Sequence, residues 1–494
     1  MRWVARHTHG VALGAALLLA TLLTPALAAP AGGPAPPQVA AAAANGFAMM
    51  HGDPASSDTT PASGPGPGRV RVTPVVLGAA CASVMVGSDG YPLATCTEIT
   101  TREPTVVLIS PTSGLPLASL SLPAGPSVLG GVYDYLDNHD RVVIVSGTND
   151  LLRIAHERTE AGWKLVVASS VSLTAPVIRE CGSARCDVVV GLTPDASGLV
   201  WFATLHGLVG TVDPRTGGVQ TVALPAGELI ANSISTELGY TAVATDHALY
   251  LFRAGRKAVP QELFREPYDR GGPRKPGQLS DGTGATPVFF GPHAAAGYVS
   301  ITDNARPHEH LLVWAVPPGR TEPFEPTLVC DVPVLTQLTN SGTEDAPIAY
   351  DRTVIVTDTY GYPYPSGTVG RASPTSAPFV GGLTRVDLWT TGRGCRTVWN
   401  SSARSSALPR LSLADDMIQT VVATRLETAE TSVYGDAAYY AVIDAATGRI
   451  VQRTYLGSGP TFDMLQLVGT TTPAGVMYQG TLGGYVRIAP DVSG

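Results

Sequence analysis

Carboxylate and amide side chains recur in short loops that interrupt the apolar runs of this sequence. Asp303 and Asn304 follow the run YVSIT, Glu344 and Asp345 lie in a Gly-Thr-Glu-Asp-Ala-Pro loop, and Asp358 follows TVIVT. Carboxylates held close together raise one another's pKa and attract Ca²⁺, which prefers carboxylate and carbonyl oxygens. We therefore predict Asp303, Glu344 and Asp345 as metal ligands, with Ca²⁺ as the candidate cofactor. The same three are predicted catalytic residues, because a carboxylate beside a metal can act as a general base.

Two histidines lie two residues after a threonine in the matching segments WFATLHG and YTAVATDH. His206 and His247 are candidate catalytic residues, since a histidine facing a carboxylate can act as a general base. The predicted substrate-binding residues are polar or aromatic side chains of the same group of loops: Thr283, Asn304, Asp358, Tyr360 and Tyr362. Tyrosines at the mouth of a site can hold a sugar or an aromatic ligand. The alternative for the Tyr-Gly-Tyr-Pro-Tyr run is a covering loop.

A turn-forming role is the alternative for each of these residues. Asp, Asn and His are common in tight turns because their side chains bond locally and their backbones tolerate left-handed geometry. Glu344 is not a turn-forming residue, which favours a functional role for the acidic pair that it forms with Asp345. His308 and His310 are expected to be exposed rather than to bind a metal, because no third ligand is identifiable for them.

A repeated hairpin indicates which elements position these loops. The segments WFATLHGLVG and YQGTLGGYVR both consist of a strand, a Thr-Leu-x-Gly turn and a strand, and related hairpins carry a threonine at intervals of about 40–60 residues. The eight threonines are Thr95, Thr148, Thr204, Thr245, Thr302, Thr357, Thr424 and Thr481. This period is typical of β-propeller blades, which have four strands each. We predict an all-β protein with a single β-propeller of eight blades, each of four antiparallel strands, with residues 70–77 completing the last blade.

In a propeller, the loops that lead into the first strand of each blade surround the central channel on one face, together with the turns between second and third strands. Three loops of similar sequence, at 282–288, 342–348 and 457–463, and a looser match at 413–417, are predicted on that face. Asp416 and Asp463 would then join the acids named above. The expected site is an acidic channel rim to which several blades contribute.

Asp-x-x-Thr-Gly turns at Asp213 and Asp444, with the glycine-rich hairpins and the eightfold period, resemble the quinoprotein-type (PQQ-like) propeller superfamily. The stretch WFATLHGLVGTVDPRTG is also similar to propellers of the gluconolactonase, strictosidine synthase and streptogramin lyase type. The resemblance spans residues 70–490 and implies the fold. PQQ is not expected as a cofactor, because catalytic quinoprotein dehydrogenases carry an adjacent pair of cysteines and this sequence has none. A Gly-x-Ser-x-Gly motif between a strand and a helix, as serine hydrolases have, is also absent.

The N-terminus has the features of a secretory signal peptide. Basic residues precede the apolar run 10–23, which is short for a membrane span, and Ala26-Leu27-Ala28 fits the signal peptidase rule. We predict a signal peptide over residues 1–28, the alternative being a retained anchor helix. Residues 29–69 are rich in Pro, Ala, Gly and Ser, which predicts a disordered leader or tether. Residues 70–494 are predicted to form the propeller domain.

The charge and the cysteines limit the partners and the compartment. The net charge of −8 and the absence of a basic stripe exclude nucleic acid as a partner, and no later apolar run could cross a membrane. The six cysteines of an exported chain predict disulfides. The predicted pairs are Cys81–Cys96 and Cys181–Cys186, which leaves Cys330 and Cys395 for a third pair among the fifteen connectivities that six cysteines allow.

These observations leave two functions open for a secreted, monomeric protein that is extracellular or associated with the cell surface. The first is a propeller enzyme that acts on a small or oligomeric polar substrate, such as a sugar, lactone or glycoside, at an acidic and calcium-binding channel rim. The second is a non-catalytic binding or scaffold propeller, tethered by its leader.

Overall fold

The computed structural model describes Met1 and residues 39–44, 48–98, 100–125, 132–183, 186–237, 239–292, 297–317, 319–364, 370–424 and 436–491. Apart from Met1, the predicted signal peptide lies outside the described residues. No helix within the described ranges is long and apolar enough to cross a bilayer.

Short strands make up almost all of the regular structure. The N-terminal half contains β1 (Thr59–Thr60), β2 (Val70–Val76), β3 (Ala79–Val86), β4 (Pro92–Glu98), β5 (Pro104–Ile109), β6 (Pro116–Ser121), β7 (Tyr135–Leu136), β8 (Val142–Val145), β9 (Asp150–Thr159), β10 (Gly162–Ser172), the helix α1 (Thr174–Cys181), β11 (Val189–Pro194), β12 (Val200–Thr204), β13 (Leu208–Val212), β14 (Val219–Ala223), β15 (Ser235–Glu237), β16 (Tyr240–Ala244) and β17 (Ala248–Ala254). The C-terminal half contains a 3₁₀ turn (Arg256–Ala258), β18 (Pro260–Pro267), β19 (Val288–Phe290), β20 (Tyr298–Thr302), β21 (His310–Ala315), β22 (Thr327–Pro333), β23 (Ile348–Tyr350), β24 (Thr353–Thr357), β25 (Leu383–Leu388), β26 (Cys395–Ser401), β27 (Arg410–Ser412), β28 (Met417–Thr424), β29 (Ala437–Asp444), β30 (Ile450–Ser458), a second 3₁₀ turn (Pro460–Phe462), β31 (Gly469–Thr471), β32 (Met477–Thr481) and β33 (Gly484–Pro490).

The strands form eight antiparallel sheets, which are the blades of the predicted propeller. Blades 1 to 7 are β3–β6, β7–β10, β11–β14, β15–β18, β19–β22, β23–β26 and β27–β30, and blade 8 has the order β2-β33-β32-β31. The first strands of neighbouring blades contact one another, and β3 meets β31, which closes the ring. These first strands are almost wholly buried, whereas outer strands such as β6 alternate between exposed and half-buried positions. The prediction of an eight-bladed, all-β propeller is confirmed.

Blade 8 is built from both ends of the propeller. β2 pairs with β33 over its whole length, from Val70 opposite Pro490 to Val76 opposite Gly484. The predicted closure by residues 70–77 is therefore confirmed. It leaves no open edge between the first and last parts of the chain, since the outermost strand of the last blade precedes the first blade in sequence.

The threonine that defined the repeat ends the second strand of most blades. Thr204, for example, is the last residue of β12, and its Oγ1 accepts a hydrogen bond from Leu208 N (2.9 Å) across the turn. The alignment is wrong for Thr148 and Thr95. Thr148 lies inside its turn, where Ser146 Oγ accepts from the amide instead (3.3 Å), and Thr95 lies within β4. In the turns of Thr204 and Thr148 the acceptor is a hydroxyl oxygen, which serine supplies as well as threonine, whereas Glu98 accepts from Thr100 N (2.8 Å) at the end of β4.

The disorder predicted for residues 29–69 does not extend to residues 48–60, which we call the channel segment. Most of this segment is buried, and Thr59 and Thr60 pair in parallel with β27. Its carbonyl groups accept hydrogen bonds from first-strand amides of five blades: Ala48 O from Leu136, Pro54 O from Thr236, Ala55 O from Phe289, Ser57 O from Ala349 and Asp58 O from Leu411, at 2.7–3.0 Å. The segment therefore lies inside the ring of first strands. Its composition cannot build a core of its own, but here it uses the burial and amide donors of the propeller.

All three disulfides are present. The first joins the neighbouring strands β3 and β4, the second closes a short loop after α1, and the third joins the outer strands β22 and β26 of adjacent blades. The pairs are Cys81–Cys96, Cys181–Cys186 and Cys330–Cys395. Both predicted pairs are confirmed, and the two remaining cysteines form the third pair.

Candidate functional site

Four long loops on one face of the propeller meet over the channel mouth. They bond to one another, for example from Gly361 N to Pro276 O (2.8 Å) and from Thr359 N to Gly342 O (2.8 Å). The loops are 268–287 before β19, 303–309 after β20, 334–347 before β23 and, after β24, the described residues 358–364 and 370–382. The sequence predicted an acidic rim, but the loops bury it. The exposed fractions are only 0–9% for Thr283, Asp303, Asn304, Glu344, Asp345, Asp358, Tyr360 and Tyr362.

A buried lysine organises part of this region. The Nζ of Lys275, whose side chain is 1% exposed, lies 3.3 Å from Glu309 Oε1 and donates to Ser341 O (2.9 Å). Glu309 Oε1 also accepts from Gln278 Nε2 (3.2 Å) and Thr343 N (3.1 Å), whereas its Oε2 has no partner among the described residues. Burial raises the pKa of Glu309 to about 7. Sequence reasoning missed Lys275, Gln278 and Glu309, although Lys275 is one of few lysines in the chain.

Glu344 and Asp345 lie side by side before β23 and have incomplete hydrogen bonding. Asn232 Nδ2 donates to Glu344 Oε1 (3.2 Å), and Asn232 Oδ1 accepts from Tyr133 OH (2.8 Å). The buried atoms Glu344 Oε2 and Asp345 Oδ2 have no partner in the described part of the chain. Burial raises the pKa of Glu344 to about 8. Burial, with the charge of Asp58 next, holds the pKa of Asp345 well above its usual range.

Asp303 and Asp358 have different roles. Asp303 Oδ1 accepts from Ala305 N (3.1 Å) and His310 N (2.6 Å), which is the turn-forming role left open as the alternative. Asp358 Oδ1 accepts from Gly342 N (3.3 Å), whereas its Oδ2 is buried without a partner among the described residues. Burial holds the pKa of Asp358 well above its ordinary value. Asp358 therefore belongs with Glu344 and Asp345, and Asp303 does not.

The three predicted metal ligands are not brought together as a set. No group of three or more His, Cys, Asp or Glu side chains within the described ranges could hold a metal ion. Asp303 uses one oxygen to cap its own turn. Burial raises the pKa of Asp303, and the nearby charges of His310 and Lys275 lower it.

The two predicted catalytic histidines lie in equivalent turns of blades 3 and 4, but each is paired with an aspartate away from the acids described above. His206 Nδ1 is 3.0 Å from Asp187 Oδ1, and His247 Nδ1 is 2.8 Å from Asp246 Oδ1. The His206 side chain is 50% exposed. Neither histidine has a hydrogen bond or an ion pair with Glu344 or Asp345 in the described part of the chain.

The remaining predicted residues have structural roles. Asp416 lies in the turn between the first and second strands of blade 7, on the opposite face, so its assignment to the rim is wrong. Tyr362 OH donates to Asp463 Oδ1, and the Tyr362 ring packs against Tyr364 (5.1 Å) and Phe379 (5.2 Å between centroids). The Tyr/Pro-rich run is thus a covering loop, as its alternative interpretation proposed.

The channel segment brings a further carboxylate, that of Asp58, towards the same acids from inside the ring of first strands. Asp58 Oδ2 is 2.9 Å from His51 Nδ1, and Asp58 Oδ1 is 3.7 Å from Arg410 Nη2. The side chains of His51, Asp58 and Arg410 are at most 6% exposed. His51 Nε2 is buried and has no partner among the described residues. No sequence motif marked these residues, because the composition around them predicted disorder.

We call Asp58, Glu309, Glu344, Asp345 and Asp358 the carboxylate cluster. The charges of Asp58, Glu344 and Asp358 each raise the pKa of Asp345. The charge of Glu309 raises the pKa of Glu344 and of Asp358. The cations nearest to it are Lys275, Arg274 and Arg410. Five carboxylates face three cations, so full ionisation would leave buried negative charge uncompensated, which is costly. The cluster must therefore hold protons or contact a group that donates hydrogen bonds or carries positive charge.

Comparisons with known proteins support the fold. No protein-family model matches the chain. Over 131 residues the chain is 33% identical to an uncharacterized protein of Archaeoglobus fulgidus; the match covers 26% of this chain and 25% of that protein, so the chain spans about a quarter of that curated relative's length. The structure of quinohemoprotein alcohol dehydrogenase from Comamonas testosteroni aligns with 92% of this chain and 83% of its own, at 12% identity and a TM-score of 0.54. The fold is that of a PQQ-like propeller. A streptogramin B lyase structure aligns at 10% identity and a TM-score of 0.38, over 85% of this chain and 98% of its own.

The residues of this propeller do not fit PQQ itself. The channel segment occupies the space inside the first strands, and it bonds to five blades there. Every cysteine forms a disulfide with a cysteine that is not its neighbour in sequence. The similarity to the dehydrogenase therefore shows the propeller fold alone.

Proposed function

We propose that this protein is an exported propeller that binds a small polar ligand at the carboxylate cluster. The observation that carries the proposal is the set of buried carboxylate oxygens without partners on Glu309, Glu344, Asp345 and Asp358. Carboxylate oxygens accept hydrogen bonds, so the complementary ligand presents hydroxyl or ammonium groups. Sugars and glycosides, together with hydroxylated lactones, fit this requirement.

Aromatic side chains border the cluster and support the same ligand class. Tyr133 bonds to Asn232, which in turn bonds to Glu344. Tyr364 is half-buried, and burial and then the charges of Glu344 and Asp345 hold its pKa well above its ordinary value. A tyrosine ring beside carboxylates offers a sugar both an apolar face and hydrogen-bond acceptors.

Export is part of the proposal. Three disulfides suit an oxidising compartment outside the cytosol, and the N-terminal sequence has the pattern of a signal peptide. We expect the mature chain to begin shortly before the channel segment.

The binding proposal predicts ligand-dependent stabilisation of the folded protein. Thermal melts of the full mature chain against a panel of monosaccharides, methyl glycosides, sugar lactones and polyamines should show a raised Tm with at least one class. Glu344→Gln should lower the apparent affinity for the stabilising ligand at least tenfold, because it replaces one carboxyl oxygen with an amide NH₂ group that cannot accept a hydrogen bond. Asp416→Asn is the matched control, since it removes a carboxylate on the opposite face, and it should leave the shift unchanged. The absence of any shift across the panel, or equal shifts in both variants, would contradict the proposal.

The second candidate is a non-catalytic scaffold, and the channel segment favours it. A propeller whose channel is filled by its own chain can present its outer faces to a partner without any internal site. In that case Glu344→Gln changes only stability, and the panel gives no shift with the wild-type chain.

A further inference from the structure

We propose that His51 and Asp58 form a general-base pair that acts on the ligand held at the carboxylate cluster, with His51 as the catalytic residue and Asp58 as the residue that positions it. The inference rests on the proposed function, because it assigns chemistry to the same site. It adds a base that comes from the channel segment rather than from any blade loop.

The geometry of the pair leaves one ring nitrogen free. His51 Nδ1 lies 2.9 Å from Asp58 Oδ2 and 3.1 Å from Asp58 Oδ1, so Nδ1 carries the proton and donates it to the carboxylate. Nε2 is then an acceptor, and it is buried without a partner among the described residues. A carboxylate that orients a histidine in this way, with the other nitrogen available, is the arrangement of base and orienting group found in hydrolytic enzymes.

The position of His51 connects the pair to the cluster. The His51 ring stacks on Tyr133 with 6.2 Å between centroids and 21° between planes. Tyr133 OH donates to Asn232, and Asn232 donates to Glu344 Oε1. The free nitrogen and the unpartnered oxygen of Glu344 thus belong to one contiguous group of side chains.

The other His–Asp pairs of the described residues do not share this arrangement. In each of them at least one side chain is a third or more exposed: His206 with Asp187, His247 with Asp246, His310 with Asp331, and Asp89 with His156. His156 Nδ1 and Asp187 Oδ2 are likewise buried without a partner among the described residues, but the other side chain of each of these pairs reaches solvent. His51 and Asp58 have side-chain exposures of 6% and 0%, so a free nitrogen there needs another partner.

The reaction class that suits the pair is hydrolysis of a C–O bond in the bound ligand. Water gives one proton to His51 Nε2 while its oxygen bonds to the electrophilic carbon. The bond from that carbon to the leaving oxygen breaks, and the leaving oxygen takes the proton of the Glu344 carboxyl, which burial keeps protonated at neutral pH. Return of the His51 proton to Glu344 through solvent restores both groups, so that one water is consumed for each bond cleaved.

Hydrolysis of chromogenic probes tests the assignment. The full mature chain is assayed with 4-nitrophenyl glycosides and 4-nitrophenyl acetate, and the wild type should release nitrophenol from at least one of them above the buffer rate. His51→Gln should lower kcat/KM at least 100-fold. Asp58→Asn should lower kcat at least tenfold and displace the pH–rate profile, a change that a purely structural role would not produce. His310→Gln is the matched control, because it removes an exposed His–Asp pair, and it should retain wild-type rates.

A measurement on the native wild-type chain keeps the test independent of variant folding. Histidine ring NMR should show a hydrogen-bonded Nδ1 proton on His51, and saturation with the probe that is hydrolysed should shift the His51 Nε2 resonance. Ligand-dependent stabilisation without hydrolysis of any probe, or a His51 Nε2 resonance that the probe does not shift, overturns the base pair and leaves the binding proposal standing. Absence of both stabilisation and hydrolysis overturns the two together.

Discussion

Replacing Gly52 with alanine should lower the free energy of unfolding by about 3 kcal/mol. Gly52 has φ +87°, a left-handed conformation that costs an L-residue about 1–2 kcal/mol. A Cβ at this position would lie 2.6 Å from Thr59 O, and Thr59 belongs to β1, which is paired with β27. The channel segment must shift to relieve this overlap, and it then loses bonds to the first strands. Urea denaturation of the full mature chain measures the change.

Gly66→Ala is the matched control for this prediction. Gly66 also lies in the region predicted as a leader and has φ +74°, but no atom lies within 4 Å of the Cβ it would gain. It should cost only about 1 kcal/mol, the backbone contribution alone. If residues 29–69 are a disordered leader, both substitutions will be neutral, and equal neutrality would show that the channel segment contributes nothing to the fold.

Stability should fall as pH rises from 5 to 8. Burial raises the pKa of Glu344 to about 8 and that of Glu309 to about 7, both above the ordinary value of 4.5. Between these limits the unfolded chain has lost protons that the folded chain keeps, so the unfolding free energy decreases with pH until the folded groups also ionise. Each such group contributes a slope of about 1.4 kcal/mol per pH unit. For Glu344 the total is about 5 kcal/mol across the whole range between its ordinary and its raised pKa.

Glu344→Gln isolates this effect, because glutamine has no proton to lose. Melting curves from pH 5 to 8 should give a shallower decline for the variant, by about 1.4 kcal/mol per unit where Glu344 titrates. Glu157→Gln, at an exposed position of β9 that pairs with Lys164, should keep the wild-type slope. A stability that rises with pH over this interval would show that the carboxylate cluster is ionised and compensated in the folded protein.

The propeller itself could be predicted from sequence because its signals are local and repeated. Most second strands end at or next to a hydroxyl residue that caps a turn, and Asp213 and Asp444 open turns between third and fourth strands. The pairing of β2 with β33 followed from counting strands in the last blade. The error at Thr148 arose because Ser146 takes the capping position, and the error at Thr95 arose because the carboxylate of Glu98 caps the turn after β4.

The site could be predicted only in part, because its geometry depends on contacts distant in sequence. Glu344, Asp345 and Asp358 were identified from their loops, but Lys275 and Glu309 become partners only after loops from different blades meet. Asp303 has the same sequence signature as Asp358, yet its carboxylate caps its own turn. Whether an aspartate caps a turn or faces a cluster is decided by the neighbouring loop, which a local pattern does not describe.

The channel segment was the largest departure from expectation. Low apolar content and many Pro, Gly and Ser residues predict disorder on the assumption that a segment must supply its own burial. Residues 48–60 meet first strands that are short and have free amide donors, such as Phe289 N and Ala349 N. Contacts with the ring of blades therefore offset the conformational entropy that the segment loses when it becomes ordered. His51 and Asp58 are buried as a consequence.

Hydrogen exchange across residues 48–63 tests the central claim most directly. The amides of Gly52, Ser56 and Asp58 are hydrogen-bonded inside a segment enclosed by the first strands. Mass spectrometry of the full mature chain at neutral pH should therefore find the peptides of this segment protected for hours, as are those that contain β15, β19 and β23. Complete exchange of the segment within seconds, while those strands remain protected, would contradict its place in the channel and with it the proposed site.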